Sequence, residues 1–119
     1  VDEEKTDRGG VVDLSTGELV AAIPSSPLGA RSGAAGALHG SELIVCCGFT
    51  DDGAAPAAAA LDIGSLTWRS LAPPPRGAAY GVAVSTGDEV IFAGGAVSTA
   101  ARGGPEAGSR FSTSCSGAR

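Results

Sequence analysis

Leu43-Ile44-Val45-Cys46-Cys47-Gly48 returns 47 residues later as Val90-Ile91-Phe92-Ala93-Gly94-Gly95, and this echo decides the fold. Each copy is a short apolar run ending on glycine. Such runs are too short for a stable helix, and their β-branched and bulky side chains suit a pleated strand. Polar turns precede both, His39-Gly40-Ser41-Glu42 in one and Thr86-Gly87-Asp88-Glu89 in the other. Further upstream lie Arg31-Ser32-Gly33-Ala34-Ala35 and Arg76-Gly77-Ala78-Ala79-Tyr80, each after a proline-bearing linker.

A second pair of echoes defines the rest of the unit. Val12-Asp13 is followed seven positions later by Leu19, and Leu61-Asp62 seven positions later by Trp68, an offset of 49 between copies. Asp13-Leu14-Ser15-Thr16-Gly17 and Asp62-Ile63-Gly64-Ser65 read as tight connections, because an Asp side chain can accept bonds from the backbone ahead of it. Strands are expected near 10–14, 18–23, 33–38, 42–47, 58–63, 67–71, 78–84 and 89–93. Thr50–Pro56 is expected as a surface loop, and Pro73-Pro74-Pro75 as an extended linker, since proline cannot donate to a central ladder.

Composition limits the rest. Hydrophobic residues make up 43% of 119, but much of that is Ala, which recovers little apolar area on burial. With 19 Gly and 7 Pro, turns and strands are favoured over helices. Net charge is −5 without a basic stripe, so nucleic acid is not an expected partner. The longest apolar runs fall far below the roughly 18 residues of a membrane span, so no membrane contact is expected. The three cysteines show no CxxC spacing, and His39 is the single histidine, so neither a metal nor another cofactor is expected. The odd count favours a reducing, cytoplasmic setting. Adjacent Cys46 and Cys47 should point to opposite faces of their strand, and His39 should sit in a surface turn.

Three segments follow. Residues 1–9 form an acidic flexible lead, 10–95 carry the repeats, and 96–119 are a Ser/Gly/Ala/Arg-rich stretch expected to be disordered. Asp51 and Asp52 lie in a loop without the further oxygens that calcium needs. Arg31 and Arg76 take equivalent places just before strands. A role in bonding strand-end carbonyls competes there with a role in facing a partner.

The stretch Leu61 to Gly95 resembles the kelch repeat of β-propellers. Its signature residues are Asp62, Trp68, Pro75-Arg76 and the pair Gly94-Gly95, matched more weakly in the first copy by Asp13, Leu19 and Gly48. The period suits the roughly 50-residue kelch unit. Departures are Val12 and Leu61 where an aromatic is usual, Leu19 for tryptophan, and Cys47 for the first glycine. The resemblance implies an all-β, partial kelch-type propeller: about one complete four-stranded antiparallel blade flanked by two half-blades. It also implies Trp68 packed between blades.

A closed propeller has about four to eight blades, so the chain reads as a section of a larger one. The function expected from the resemblance is non-catalytic, a protein–protein interaction scaffold. Arg31, Asp51, Asp52 and Arg76, within loops 25–32, 49–57 and 72–77, would face a partner protein. The alternatives are part of a catalytic kelch-like propeller such as a sugar oxidase, or a truncated gene product without independent function.

Overall fold

A computed structural model describes residues 5–96 and one strand beyond them, Ser112–Cys115. The chain is all-β, and no helix occurs among the described residues. Strands run in the order β1 Gly9–Val12, β2 Leu19–Ile23, β3 Ala35–His39, β4 Glu42–Cys46, β5 Phe49–Thr50, β6 Gly53–Ala54, β7 Ala58–Asp62, β8 Thr67–Leu71, β9 Val82–Ser85, β10 Val90–Ala93 and β11 Ser112–Cys115. They make four antiparallel sheets: β1-β2, β3-β4-β7-β8, β5-β6 and β11-β10-β9. None of these closes on itself.

Three differences from the sequence reading follow, the first two with local causes. The expected surface loop after β4 contains a small hairpin, Phe49–Thr50 on Gly53–Ala54, whose turn is held by Asp52 N donating to Thr50 Oγ1 at 3.1 Å. β9 begins at Val82 rather than 78, because Tyr80 takes a φ of 64° and interrupts the strand. Ser112–Cys115 pairs with β10 although no strand was expected there. The remainder of the expected disordered segment, and the first four residues of the acidic lead, lie outside the described residues.

Register sorts the side chains onto faces. In the four-stranded sheet, Ala37 pairs with Ile44, Ile44 with Ala60, and Ala35 with Cys46, so these share one face. β9–β10 lies over that face with Ala83, Val90 and Phe92, and Ile44, Cys46, Ala60 and Val90 are fully buried between them. Alanine at 35, 37, 58 and 60 leaves room for the larger Ile44, Val90 and Phe92, which is how a poor apolar composition still fills this layer. The opposite face carries Leu43, Val45, Leu61 and Trp68. With Gly9 and Ile23 of β1–β2 they line a cleft of about 220 Å³.

The backbone repeats as the sequence does. Residues with positive φ recur 47 positions apart: Gly33 and Tyr80, Gly40 and Gly87, Cys47 and Gly94, Gly48 and Gly95. Isolated bridges Ser32–Phe49 and Ala79–Ala96 keep the same offset. The aspartate turns correspond as well. Gly17 N donates to Asp13 O at 2.7 Å and Leu66 N to Asp62 O at 2.8 Å, while Asp13 Oδ1 and Asp62 Oδ1 accept from the backbone N–H of Ser15 and Ser65. Both carboxyls are held below the ordinary aspartate range, Asp13 chiefly by the Ser15 hydroxyl donating to Oδ1 at 2.6 Å and Asp62 chiefly by the Ser65 backbone N–H.

Candidate functional site

Antiparallel order brings the starts of β3, β7 and β9 and the ends of β4, β8 and β10 to one end of the sheets. The connections 24–34, 47–57 and 72–81 therefore gather there, and backbone bonds tie them together. Ser32 and Phe49 exchange bonds of 3.0 and 2.8 Å, Gly48 N donates to Ala78 O at 2.7 Å, and Tyr80 N donates to Gly33 O at 2.8 Å. Gly77 rests directly on the Ala55–Pro56 backbone, where a Cβ would come within 2.5 Å.

Arg31 stands inside this assembly, half-buried. Its guanidinium donates to Cys47 O at 2.7 Å and to Leu28 O, while its Nε is buried without a partner. Burial lowers the guanidinium's pKa from its usual value. Arg76 is exposed on the 72–81 connection. The two arginines are not equivalent: Arg31 immediately precedes the bridging Ser32, whereas Arg76 lies three residues before its counterpart Ala79. Asp51 and Asp52 occupy the exposed tip of the β5–β6 hairpin, with Asp51 3.8 Å from Lys5 Nζ.

The cysteine pair corrects the sequence reading. Cys46 and Cys47 are both buried and are joined to each other as a disulfide. Side chains alternate across a strand only while the backbone stays extended. β4 stops at Cys46, and Cys47 turns to a φ of 76°, which brings the sulfurs to one side. The sequence held a signal for this: Cys47 aligns with Gly94, and a glycine there marks a left-handed position. Among the described residues no group of three or more His, Cys, Asp or Glu is placed to hold a metal ion.

Two aromatic residues at this end were not among those expected from sequence to face a partner. Tyr80 is 57% exposed, yet its ring lies over Gly33 and meets Phe49 edge-on at 5.9 Å between centroids. At φ 64° its backbone is in a region that non-glycine residues enter seldom.

Other signature residues lie elsewhere. Leu19 is 65% exposed on β2, and Asp13 and Asp62 serve turns at the opposite end of the sheets. Trp68 on β8 lines the cleft beside β1–β2, and its Nε1 donates to Pro24 O at 2.8 Å. Gly48 and Gly95 fit tightly at their strand ends, while Gly94 faces open space. His39 is the last residue of β3 rather than a turn residue, half-buried, with Nδ1 2.9 Å from Ser85 Oγ of β9.

No family model and no curated protein matches this chain. It is similar to the solved structure of YjhT, at 32% identity and a TM-score of 0.63, over 75% of this chain and 26% of YjhT's. The chain thus spans about a quarter of YjhT's length.

Proposed function

We propose that residues 10–95 are a section of a kelch-type β-propeller, one blade flanked by an outer and an inner half-blade, whose loop end binds another protein. Support for the propeller comes from sheets stacked face to face at a 47-residue backbone period. The binding reading is carried by Tyr80: a large, exposed aromatic ring fixed in place by its own backbone bond and by Phe49. Fixed aromatic residues lose little freedom on binding and dominate many protein interfaces. The connection that carries Tyr80 also supplies Arg76, and the 47–57 connection supplies Asp51 and Asp52, a mixed-charge surround that orients a polypeptide partner more than it adds affinity.

The test places a photo-reactive phenylalanine analogue at position 80 of the full-length protein, with a control at Leu14, 96% exposed at the opposite end. Position 80 should crosslink to one other polypeptide, and Tyr80→Ala should weaken capture of that polypeptide. Equal labelling from both positions, or none from position 80, removes the reading.

A further inference from the structure

We propose that Cys46 and Cys47 form a two-electron redox switch for the loop end: the disulfide holds the three connections assembled, and the dithiol form releases them. That the loop end binds a protein rests on the reading above; that the pair controls its order does not.

The fold does not require two cysteines at this turn. β10 leaves by the same path through Ala93-Gly94, with a φ of 77° at Gly94 against 76° at Cys47. Glycine takes that conformation at little cost, so the second copy holds it without a cross-link. The first copy instead places there a residue that disfavours the conformation and ties it to its neighbour by a bond that a thiol can break.

What the turn holds is the loop end. In the peptide joining Cys47 to Gly48, the carbonyl accepts from Arg31 of the 24–34 connection, and the N–H donates to Ala78 O of the 72–81 connection, each at 2.7 Å. Both groups belong to one rigid plane. A return of Cys47 to negative φ swings that plane and breaks the two bonds together. Phe49 follows directly, and its ring meets Tyr80 edge-on at 5.9 Å between centroids. One backbone angle therefore anchors two neighbouring connections and positions the aromatic pair. Sulfurs no longer bonded must move apart, and Cys47 has room to do so, beside a void of about 20 Å³ that it lines with Ala78, Gly81, Phe92 and Gly94.

The reductant is a dithiol. One of its thiolates attacks the sulfur of Cys47, 5% exposed where Cys46 is 0%. A mixed disulfide forms, and Cys46 leaves as a thiolate that takes up a proton. The second thiol of the reductant then closes on its own sulfur in the mixed disulfide and releases Cys47 as a thiol. Two electrons and two protons pass to the pair, and the dithiol departs as a cyclic disulfide. The oxidised form of the same reagent class runs these steps in reverse.

Hydrogen exchange of the full-length protein, oxidised and after reduction with dithiothreitol, tests this. On reduction the amides of Gly48, Phe49 and Tyr80 should exchange about fivefold faster. They should also exchange well before those of β7 and β8, while Leu66 and Thr86 at the opposite end keep their rates. Cys47→Gly should stay protected in both conditions and Cys47→Ser should exchange fast in both, the switch locked in one state and then the other. Crosslinking from position 80 should follow the same pattern. Loop-end exchange indifferent to reduction overturns the proposal. So do loop-end amides that exchange no sooner than β7 and β8 in the reduced protein, which would mark a cross-link acting on global unfolding alone. Exchange that responds while position 80 captures nothing in either state supports the switch and removes the binding reading instead.

Discussion

Two strand ends in this molecule share a backbone path and reach it with different chemistry. β4 leaves through Cys46-Cys47-Gly48 and β10 through Ala93-Gly94-Gly95, with φ of 76° and 93° in the first and 77° and 94° in the second. At the second position both need glycine. A Cβ on Gly48 would lie 2.8 Å from Ser32 O, and one on Gly95 would lie 2.5 Å from Ala79 O, in each case against the bridge that anchors the next connection. At the first position a Cβ on Gly94 meets nothing within 4 Å, and Cys47 carries a side chain there. The repeat thus imposes a conformation at both positions but excludes side-chain volume at one alone.

The largest expected effect follows from that contrast. Gly48→Ala and Gly95→Ala combine a left-handed backbone with a collision against buried backbone and should each cost about 3 kcal/mol. Gly94→Ala carries only the backbone cost, about 1 kcal/mol. Urea unfolding of the three variants checks the ranking; a Gly94→Ala penalty equal to that of Gly95→Ala would break the comparison.

The disulfide comes next in size. Bonding the two side chains restricts Cys47 in folded and unfolded chains alike, so little is lost when it folds into the left-handed region. Reduction frees the unfolded chain, and the full cost of that conformation returns, about 1 kcal/mol. Dithiothreitol should therefore destabilise the wild type by that amount and leave Cys47→Gly, which adopts the other copy's solution, unchanged. Wild-type stability indifferent to reductant would show that the cross-link contributes nothing to holding the turn.

A third contrast lies in the strands that carry Leu19 and Trp68. Both follow an Asp turn, but only tryptophan has a ring N–H, and it reaches across to Pro24 O just after β2. Trp68→Phe keeps most of the ring and removes that bond, so it should cost about 1 kcal/mol. A larger loss of thermal stability would mean that indole volume in the cleft, rather than the bond, joins β2 to β8.

The legible features were those set within a few residues. Leu43–Cys46 and Val90–Ala93 announced themselves as strands by side-chain shape, and Asp13 and Asp62 announced their turns, because a carboxylate reaching the next backbone N–H is a local matter. Illegible features depended on distant partners or on one backbone angle. Ser112–Cys115 has little strand character of its own and takes its place from the edge of β10. Arg31 and Arg76 looked equivalent until the bridges at Ser32 and Ala79 gave the register. For the candidate site, Arg76, Asp51 and Asp52 could be placed on exposed connections from sequence, whereas Tyr80 could not. Its position depends on Phe49 and Gly33, residues of other connections.

The smallest expected effect concerns the complete sheet, where a charge pair spans three strands. Arg69 of β8 reaches over β7 to Glu42 of β4, with Nε to Oε2 at 2.9 Å and Nη2 to Oε1 at 2.8 Å. Ala60, paired with Arg69, leaves the path clear. These bonds hold the Glu42 carboxyl below the ordinary glutamate value, while Arg69 is correspondingly raised. A depressed carboxylate stabilises the fold above its unfolded pKa of about 4.3 and loses that contribution as pH falls through the lower, folded value. Arg69 is half-exposed, so solvent screening keeps the pair within about 0.2–1 kcal/mol. Arg69→Ala should remove that much at neutral pH and nothing once Glu42 is protonated in both states, so the wild-type and variant stability curves should converge at acid pH. A difference persisting there would assign the effect to the arginine stem packed across Ala60 instead of to its charge.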